Sequence, residues 1–254
     1  MTRRRFYAPP EAFARDGALV TLSEEESRHL RDVLRLRAGD EAHVFDGAGR
    51  EFACVVRGDG GRKGRASLEV RGPAEPPSPE SPLALALAVA LLKGEKFDLV
   101  VQKATELGVS LIAPVVTKRS DVRPRDERDA VRRVERWRRL ALEASKQSGR
   151  AFVPAVAAPA AFDTLIEKQD ETALRLLFAE RGGAGLDTLV DETHARPASA
   201  VALVGPEGGW DDEELAHARA RGWTLVTLGG RTLRAETAAI AVCVLLQHLF
   251  GDLR

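Results

Sequence analysis

The chain has 254 residues, with 38 Lys and Arg against 38 Asp and Glu and a formal charge of zero. That length buries a large core and has room for two ordinary domains, and the overall balance by itself argues against a nucleic-acid partner. Cys54 and Cys243 lie far apart in sequence and in different hydrophobic contexts, so neither a disulfide framework nor a CxxC metal site is indicated, and a reducing compartment fits.

Met1 to Pro10 is basic and interrupted by proline, unlike a secretory signal. The longest apolar runs, Leu83 to Leu92 and Ala238 to Leu246, are too short to span a bilayer. A cytoplasmic protein with no membrane association is expected. Ser23 to Leu34 reads as a helix with Ser23 and Glu26 as its capping box. Ala42 to Phe45, Glu51 to Val56 and Ala66 to Val70 read as short strands, with Asp46-Gly47-Ala48-Gly49 turning between the first two. Residues 1–72 are therefore expected to form a small β-rich barrel. Residues 73–82 carry five prolines and read as a stiff extended linker.

From residue 83 to 254 strands and helices alternate. Leu83 to Leu91, Leu111 to Val116, Leu174 to Ala179, Ala200 to Val204 and Thr224 to Leu228 read as buried parallel strands. Helical patterns lie at Glu95 to Leu107 and at Ala130 to Ser145, where Val131, Val134, Trp137, Leu140, Ala141 and Ala144 make an apolar stripe. Asp211 and Glu214 are placed to cap a helix running to about Ala220. Thr237 to Phe250 is apolar on nearly every face and is expected to be buried. This texture gives an α/β fold with a parallel sheet that binds ligands at the carboxyl ends of its strands.

Charge is segregated along the chain. Lys118 to Arg139 holds ten basic residues against five acidic ones, Arg3, Arg4 and Arg5 begin the chain, and Arg57, Arg62, Lys63, Arg65 and Arg71 outnumber Asp59 and Glu69. Glu180 to Glu214 holds nine acids and two bases. Such segregation suits either a set of solvated helix faces or a basic face that attracts a phosphate backbone. The five histidines, His29, His43, His194, His217 and His248, show no ligand spacing, and no metal is expected.

Two glycine-rich loops carry the most information. Leu203-Val204-Gly205-Pro206-Glu207-Gly208-Gly209-Trp210 joins an apolar run to an acid-capped helix. Glycines let a ligand approach the main chain, but Glu207 and the acids from Asp211 to Glu214 would repel a phosphate at that helix start. A ligand neutral or cationic at the contact is indicated. Leu228-Gly229-Gly230-Arg231-Thr232-Leu233-Arg234-Ala235-Glu236-Thr237-Ala238 repeats the arrangement one strand later.

Together these loops resemble the signature of the SPOUT class of S-adenosylmethionine-dependent RNA methyltransferases. Within it, the chain resembles the RsmE family, which methylates N3 of a uridine in 16S ribosomal RNA of the small ribosomal subunit. Lys93 to Asp98, Lys103 to Gly108, Glu143 to Arg150, Arg3 to Tyr7 and His29 to Asp40 match as well, so the resemblance covers nearly the whole chain. It implies a C-terminal trefoil knot, a PUA-like RNA-binding barrel ahead of it, and a homodimer. It departs from the family at Gly230, where proline is expected, and at Thr232, which replaces a bulkier aliphatic residue.

The resemblance implies three cofactor segments: Phe178, Ala179 and Glu180; Leu203, Val204, Gly205, Pro206, Glu207, Gly208 and Gly209; and Leu228, Gly229, Leu233, Arg234, Thr237 and Ala238. Phe178 reads equally as a core aromatic at a strand end. Methyl transfer to N3 needs its imide proton removed and negative charge on O2 and O4 stabilised. Arg234 fits the second role and Glu236 the first, the alternative being a salt bridge from Arg234 to Glu236 or Glu207 that only shapes the loop. Arg231 is placed for a substrate phosphate. Arg3, Arg4, Arg5, Arg31, Lys93, Lys96, Lys103 and Arg150 are phosphate-contact candidates, with Tyr7 or Phe6 able to stack on a base or fill the barrel core. A non-catalytic RNA-binding or ribosome-assembly clamp remains the competing reading. A phosphate-binding hydrolase is disfavoured by Glu207 and by the lack of a GxxxxGK[ST] loop.

Overall fold

Strand patterning in the first third and strand-helix alternation in the remainder resolve into two compact units, residues 1–80 with 145–153, and residues 81–144 with 154–254. The computed structural model describes residues 3–58, 61, 64–167, 173–192 and 196–253, so Asp59, Arg62, Lys63 and His194 lie outside the described residues.

In the first unit, β1 (Arg5–Tyr7) runs parallel to β3 (Glu41–Phe45), and β2 (Leu19–Thr21) pairs antiparallel with β5 (Ser67–Ala74). The strand β4 (Glu51–Gly58) forms a hairpin with β3 and pairs with β5. The sheet order is β1-β3-β4-β5-β2, a curled half-barrel whose edge strands do not pair with each other. Alternate residues Ala42 and Val44, Cys54 and Val56 point into a core with Phe6, Val20, Leu22, Leu30 and Leu68. At the hairpin, the Asp46 carboxylate accepts from the Ala48 and Arg50 amides, and Gly47 and Gly49 take positive φ.

Two expectations change here. The helix at Ser23 is short: α1 (Glu24–Arg28) is followed by a π-helical turn, His29–Val33, and the chain leaves at Arg35 with φ +55°. Ser23 caps it by accepting from the Glu26 amide, but the Glu26 carboxylate accepts from Lys146 Nζ at 2.7 Å rather than completing a capping box. The strand β5 also runs into the proline-rich stretch. Because β2 pairs only with Ser67 to Glu69, the Gly72–Ala74 end is an outer edge, and Pro73 sits there opposite Phe52 without breaking a ladder bond.

Residues 145–153 return to this unit. Arg5 is its central cation: its guanidinium pairs with Glu51 at 2.8 Å, donates to the Lys146 and Arg150 carbonyls, and lies 4.7 Å from the Phe45 ring centroid. Arg150, only 4% exposed, pairs with Glu80 at 2.6 Å. Arg5 and Arg150, two of the phosphate-contact candidates, are thus interior structural residues, and Phe6 is fully buried in the core.

In the second unit, β6 (Ala84–Ala90), β7 (Leu111–Val116), β8 (Ala155–Val156), β9 (Ala160–Ala161), β10 (Leu174–Phe178), β11 (Ser199–Val204) and β12 (Thr224–Val226) form one all-parallel sheet. Its order is β12-β10-β11-β6-β7-β8, with β9 also on β7. The helices are α2 (Lys96–Glu106), α3 (Glu127–Ser148), whose last residues from Ser145 on count with the first unit, α4 (Phe162–Glu167), α5 (Leu186–Glu192), α6 (Asp212–Ala220) and α7 (Ala235–Phe250). On one face of the sheet α4 and α6 cover Ala88, Val115, Leu177, Leu203 and Leu225. The other face of β6 and β11 receives α7, which also packs on α2.

The apolar stripe of α3 buries Val134, Trp137, Ala141 and Ala144, with the Trp137 indole donating to Asp98, but leaves Val131 50% exposed. The last helix is not buried all round. It turns Ala235, Ala239, Val242, Cys243, Leu246 and Phe250 inward and leaves Val244 40% exposed, so its uniform apolarity conceals a solvent-facing side.

Glu51 is sealed from solvent, so removing Arg5 would leave a buried charge with only the longer, half-exposed contact to Arg3 at 3.5 Å. Arg5→Met is expected to destabilise the first unit by about 3–5 kcal/mol in urea unfolding, and Arg5→Met with Glu51→Met by much less. Equal losses in the single and double variants would show that the pair is not a coupled buried ion pair.

Candidate active site

The strands β12, β10 and β11 are neighbours and parallel, so their carboxyl ends open on the same edge of the sheet. The loops that leave them enclose a cavity of about 400 Å³. Phe178, Ala179 and Glu180 contribute from the first, Val204 to Glu207 with Gly209 and Trp210 from the second, and Thr227 to Ala235 with Ala238 from the third.

Trp210 ties the first two loops together. Its indole N–H donates to the Phe178 carbonyl at 2.8 Å, and its ring lies against Phe162. Gly205 permits this, because a Cβ there would come within 2.9 Å of the indole. Gly209, at φ +68°, closes the turn by donating to the Pro206 carbonyl. The helix α6 then starts from a complete capping box: Asp211 accepts from the Glu213 amide, and Glu214 accepts from the Asp211 amide. The main-chain bond from Glu213 and the adjoining Lys118 hold the Asp211 carboxyl below its ordinary range against the opposing effect of burial.

Glu207 is the acid that made the loop unsuitable for phosphate. Burial raises its pKa, but the ammonium of Lys96, 3.0 Å from Oε1, and main-chain bonds outweigh that and leave it below the ordinary carboxylate value. A group with a depressed folded pKa adds stability that is present above its unfolded pKa and lost as pH falls through the folded one. The Lys96–Glu207 tie therefore holds at neutral pH and fails in acid.

In the third loop Gly229 and Gly230 both take positive φ, +73° and +71°. Proline, with φ near −65°, cannot occupy the latter, so the glycine found in place of the expected proline goes with a different backbone path. Arg234 is the exposed N-cap residue of α7 and lines the cavity. Neither Glu207 nor Glu236 pairs with it among the described residues; both turn to Lys96, which is 3.8 Å from Glu236 Oε2.

Of the residues expected to bind the cofactor, Leu203, Gly208 and Thr237 do not line the cavity. Leu203 is in the core, Gly208 backs onto Arg119, and Thr237 is exposed. Trp210, Thr227, Gly230, Arg231, Thr232 and Ala235 line it, although the sequence pattern assigned none of them to the cofactor. Trp210 had a visible signal, a large aromatic directly after a double glycine. Among the phosphate-contact candidates outside the core, Arg31 pairs with Asp32, Lys93 with Asp121 and Lys103 with Glu106, while Arg3 reaches Glu51 and the Glu75 carbonyl, and Arg4 is exposed. Such surface pairs are weak and exchange readily for other anions.

The described residues contain no group of three or more His, Cys, Asp or Glu placed to hold a metal ion, and no helix long and apolar enough to cross a membrane. Cys54 and Cys243 are free and buried, and burial pushes both thiols up to about 12, which removes them as nucleophiles.

Residues 79–247 match the RNA methyltransferase domain family and residues 22–68 the RNA methyltransferase PUA domain family. A ribosomal RNA small subunit methyltransferase E from Synechocystis sp. is 36% identical over 223 residues, spanning 87% of this chain and 70% of that one. The crystal structure of the methyltransferase E of Neisseria gonorrhoeae bound to S-adenosyl methionine superposes with a TM-score of 0.85 at 34% identity, covering 100% of both chains. A Legionella pneumophila protein solved with the bound cofactor SAM gives a TM-score of 0.86 at 31% identity, covering 99% of this chain and 100% of that one. A half-barrel ahead of a parallel sheet, three loops around one cavity, and this kinship converge on one family: the chain belongs to the ribosomal RNA small subunit methyltransferase E family, RsmE.

Proposed function

We propose that the protein transfers the methyl group of S-adenosylmethionine to N3 of a uridine in 16S ribosomal RNA of the small ribosomal subunit. The observation that carries this reading is the cavity at the ends of β10, β11 and β12, with an arginine at its edge that no carboxylate among the described residues neutralises. The cavity suits the cofactor chemically. Glycine, alanine and threonine make up about half of its lining and let a ligand approach the main chain, while the acids Glu180 and Glu207 on the first two loops face the arginines Arg231 and Arg234 of the third, so that a cationic sulfur and a developing anion can both be accommodated. When bound, S-adenosylmethionine supplies a methyl group on a positively charged sulfur.

The residues then divide the remaining work. The exposed guanidinium of Arg234 stabilises the negative charge that spreads onto uridine O2 and O4 as N3 loses its proton. Glu236, at the start of α7, accepts that proton on its carboxylate. Arg231, also in the cavity wall, steers a phosphate of the substrate strand. The rim of loops fixes the reacting atoms in line, which supplies much of the rate. An unneutralised arginine beside a formed cofactor cavity favours this reading over a non-catalytic clamp that keeps the fold.

RNA contact falls to the exposed cations, Arg3 and Arg4 in the first unit, and Lys93 and the solvent face of α3 with Arg128, Arg132 and Arg139 in the second. Arg31 and Lys103, in surface pairs, are available for exchange onto phosphate. We further infer a trefoil knot in the loops around the cavity, which the strand order β12-β10-β11 supports. The solvent face of α7, with Val244 exposed and Leu245 and Leu249 only partly covered, is suited to a homodimer interface. Such an enzyme works in the cytoplasm, where ribosomal subunits are found.

Labelled methyl transfer to unmodified small subunits tests the reaction. The wild type is expected to transfer one methyl per subunit and Arg234→Ala to lose on the order of 10²-fold or more in kcat; transfer by neither folded protein would favour the clamp. Calorimetry is expected to show Gly205→Ala weakening S-adenosylmethionine binding by about tenfold or more, since the displaced indole reshapes the wall, and an unchanged affinity would place the cofactor elsewhere. Sedimentation equilibrium is expected to give a dimer that Val244→Glu dissociates, whereas a wild-type monomer would remove the α7 interface.

A further inference from the structure

Lys96 stands in an unfavourable place. It opens α2, where the helix dipole disfavours a cation, and Phe97 beside it is buried against Trp137, which fixes the first turn. Its ammonium is offset by two carboxylates from two different cavity loops, Glu207 Oε1 at 3.0 Å and Glu236 Oε2 at 3.8 Å. The second distance is too long for a hydrogen bond, and Glu236 Oε2 is buried with no hydrogen-bond partner among the described residues. Glu236 does not itself line the cavity, although its neighbours Ala235 and Ala238 do, and a buried carboxylate oxygen held only by a distant ammonium calls for a functional explanation.

We propose that Lys96 is a positioning residue for methyl transfer, tying Glu207 to Glu236 Oε2 so that the carboxylate of Glu236 is held with its other oxygen toward the uridine imide. This rests on the role given to Glu236 above. Lys96 itself touches neither the cofactor cavity nor the reacting atoms. It acts by fixing where the third loop hands over to α7 relative to the second loop, so that the carboxylate does not swing toward Arg234 and neutralise it. The phosphate-contact role suggested by the sequence is replaced, because the ammonium already bridges two carboxylates inside its own unit.

The test is a kinetic double-mutant cycle on the full-length protein, with K96M, K96R, E236Q and K96M/E236Q assayed on unmodified small subunits. Cofactor affinity is measured by calorimetry and folding by thermal melting. K96M is expected to lower kcat by on the order of tenfold to a hundredfold, the cost of a small misplacement, with the KM for RNA unchanged. K96R is expected to recover most of the rate, which guards against a variant that merely folds poorly. In the E236Q background the K96M change is expected to cost little more, because the two residues act as one unit.

A raised KM for RNA with unchanged kcat and a shallower salt dependence would make Lys96 a phosphate contact and overturn the proposal. Equal K96M losses in both backgrounds would overturn it too. Full-rate K96M beside an impaired E236Q sinks the Lys96 role alone. An impaired K96M beside an unimpaired E236Q removes both the coupling and the acceptor role of Glu236.

Discussion

The hydrogen bond from the Trp210 indole to the Phe178 carbonyl is the tie on which the cavity depends. Parallel strands deliver their carboxyl ends to one edge but do not fix the paths of the loops that leave them. Here the loop after β11 is folded back over the end of β10 by a single buried aromatic, and Gly205 leaves the space that the ring occupies. Trp210 also packs with Phe162, Leu215 and Trp223 in the core beneath the sheet. The wall of the cavity and the packing of α4 and α6 are therefore one structure, and a change in either is felt in the other.

Charge is arranged as carefully as packing. The zero net charge divides into an acidic segment around the second loop and α6 and a basic segment along α3. Within that division the arginines do different work. Arg5 and Arg150 are interior and hold the first unit together, while Arg234 stands exposed with its neighbouring acids engaged by Lys96. Burying Arg5 with Glu51 secures a specific arrangement more than it adds stability, since the desolvation of both ions offsets much of their attraction. Leaving Arg234 unneutralised has the opposite logic, because its field is available to whatever charge develops nearby.

The elements that were legible in the sequence are those whose pattern reports burial directly. The long strands β6, β7, β10 and β11 are apolar runs, broken only by Arg175 and Ser199 near their starts, because both their faces are covered. The cap of α6 was legible because Asp211 and Glu214 have the spacing that two main-chain amides require. Three-residue β1 and β2 and two-residue β8 and β9 are too short to show a period. The π-helical turn after α1 was hidden because composition does not report how wide a turn is. The exposed side of α7 was hidden because its residues are apolar all round, whether or not they are covered. In the site, the glycines and Arg234 could be read, but Lys96 meets Glu207 and Glu236 across 111 and 140 positions, and only the fold brings them together. The fate of Arg150 was likewise invisible, since a basic residue at a helix end looks the same in sequence whether it faces solvent or Glu80.

The most direct test of the account is a crystal structure with S-adenosylmethionine and a short uridine-containing RNA. The account predicts the cofactor among the loops at residues 178–180, 204–210 and 227–238, its methyl group facing uridine N3, with Arg234 at the pyrimidine oxygens and the Trp210–Phe178 bond intact. A cofactor bound outside these loops, or a nucleobase presented to it with Arg234 turned away, would contradict it.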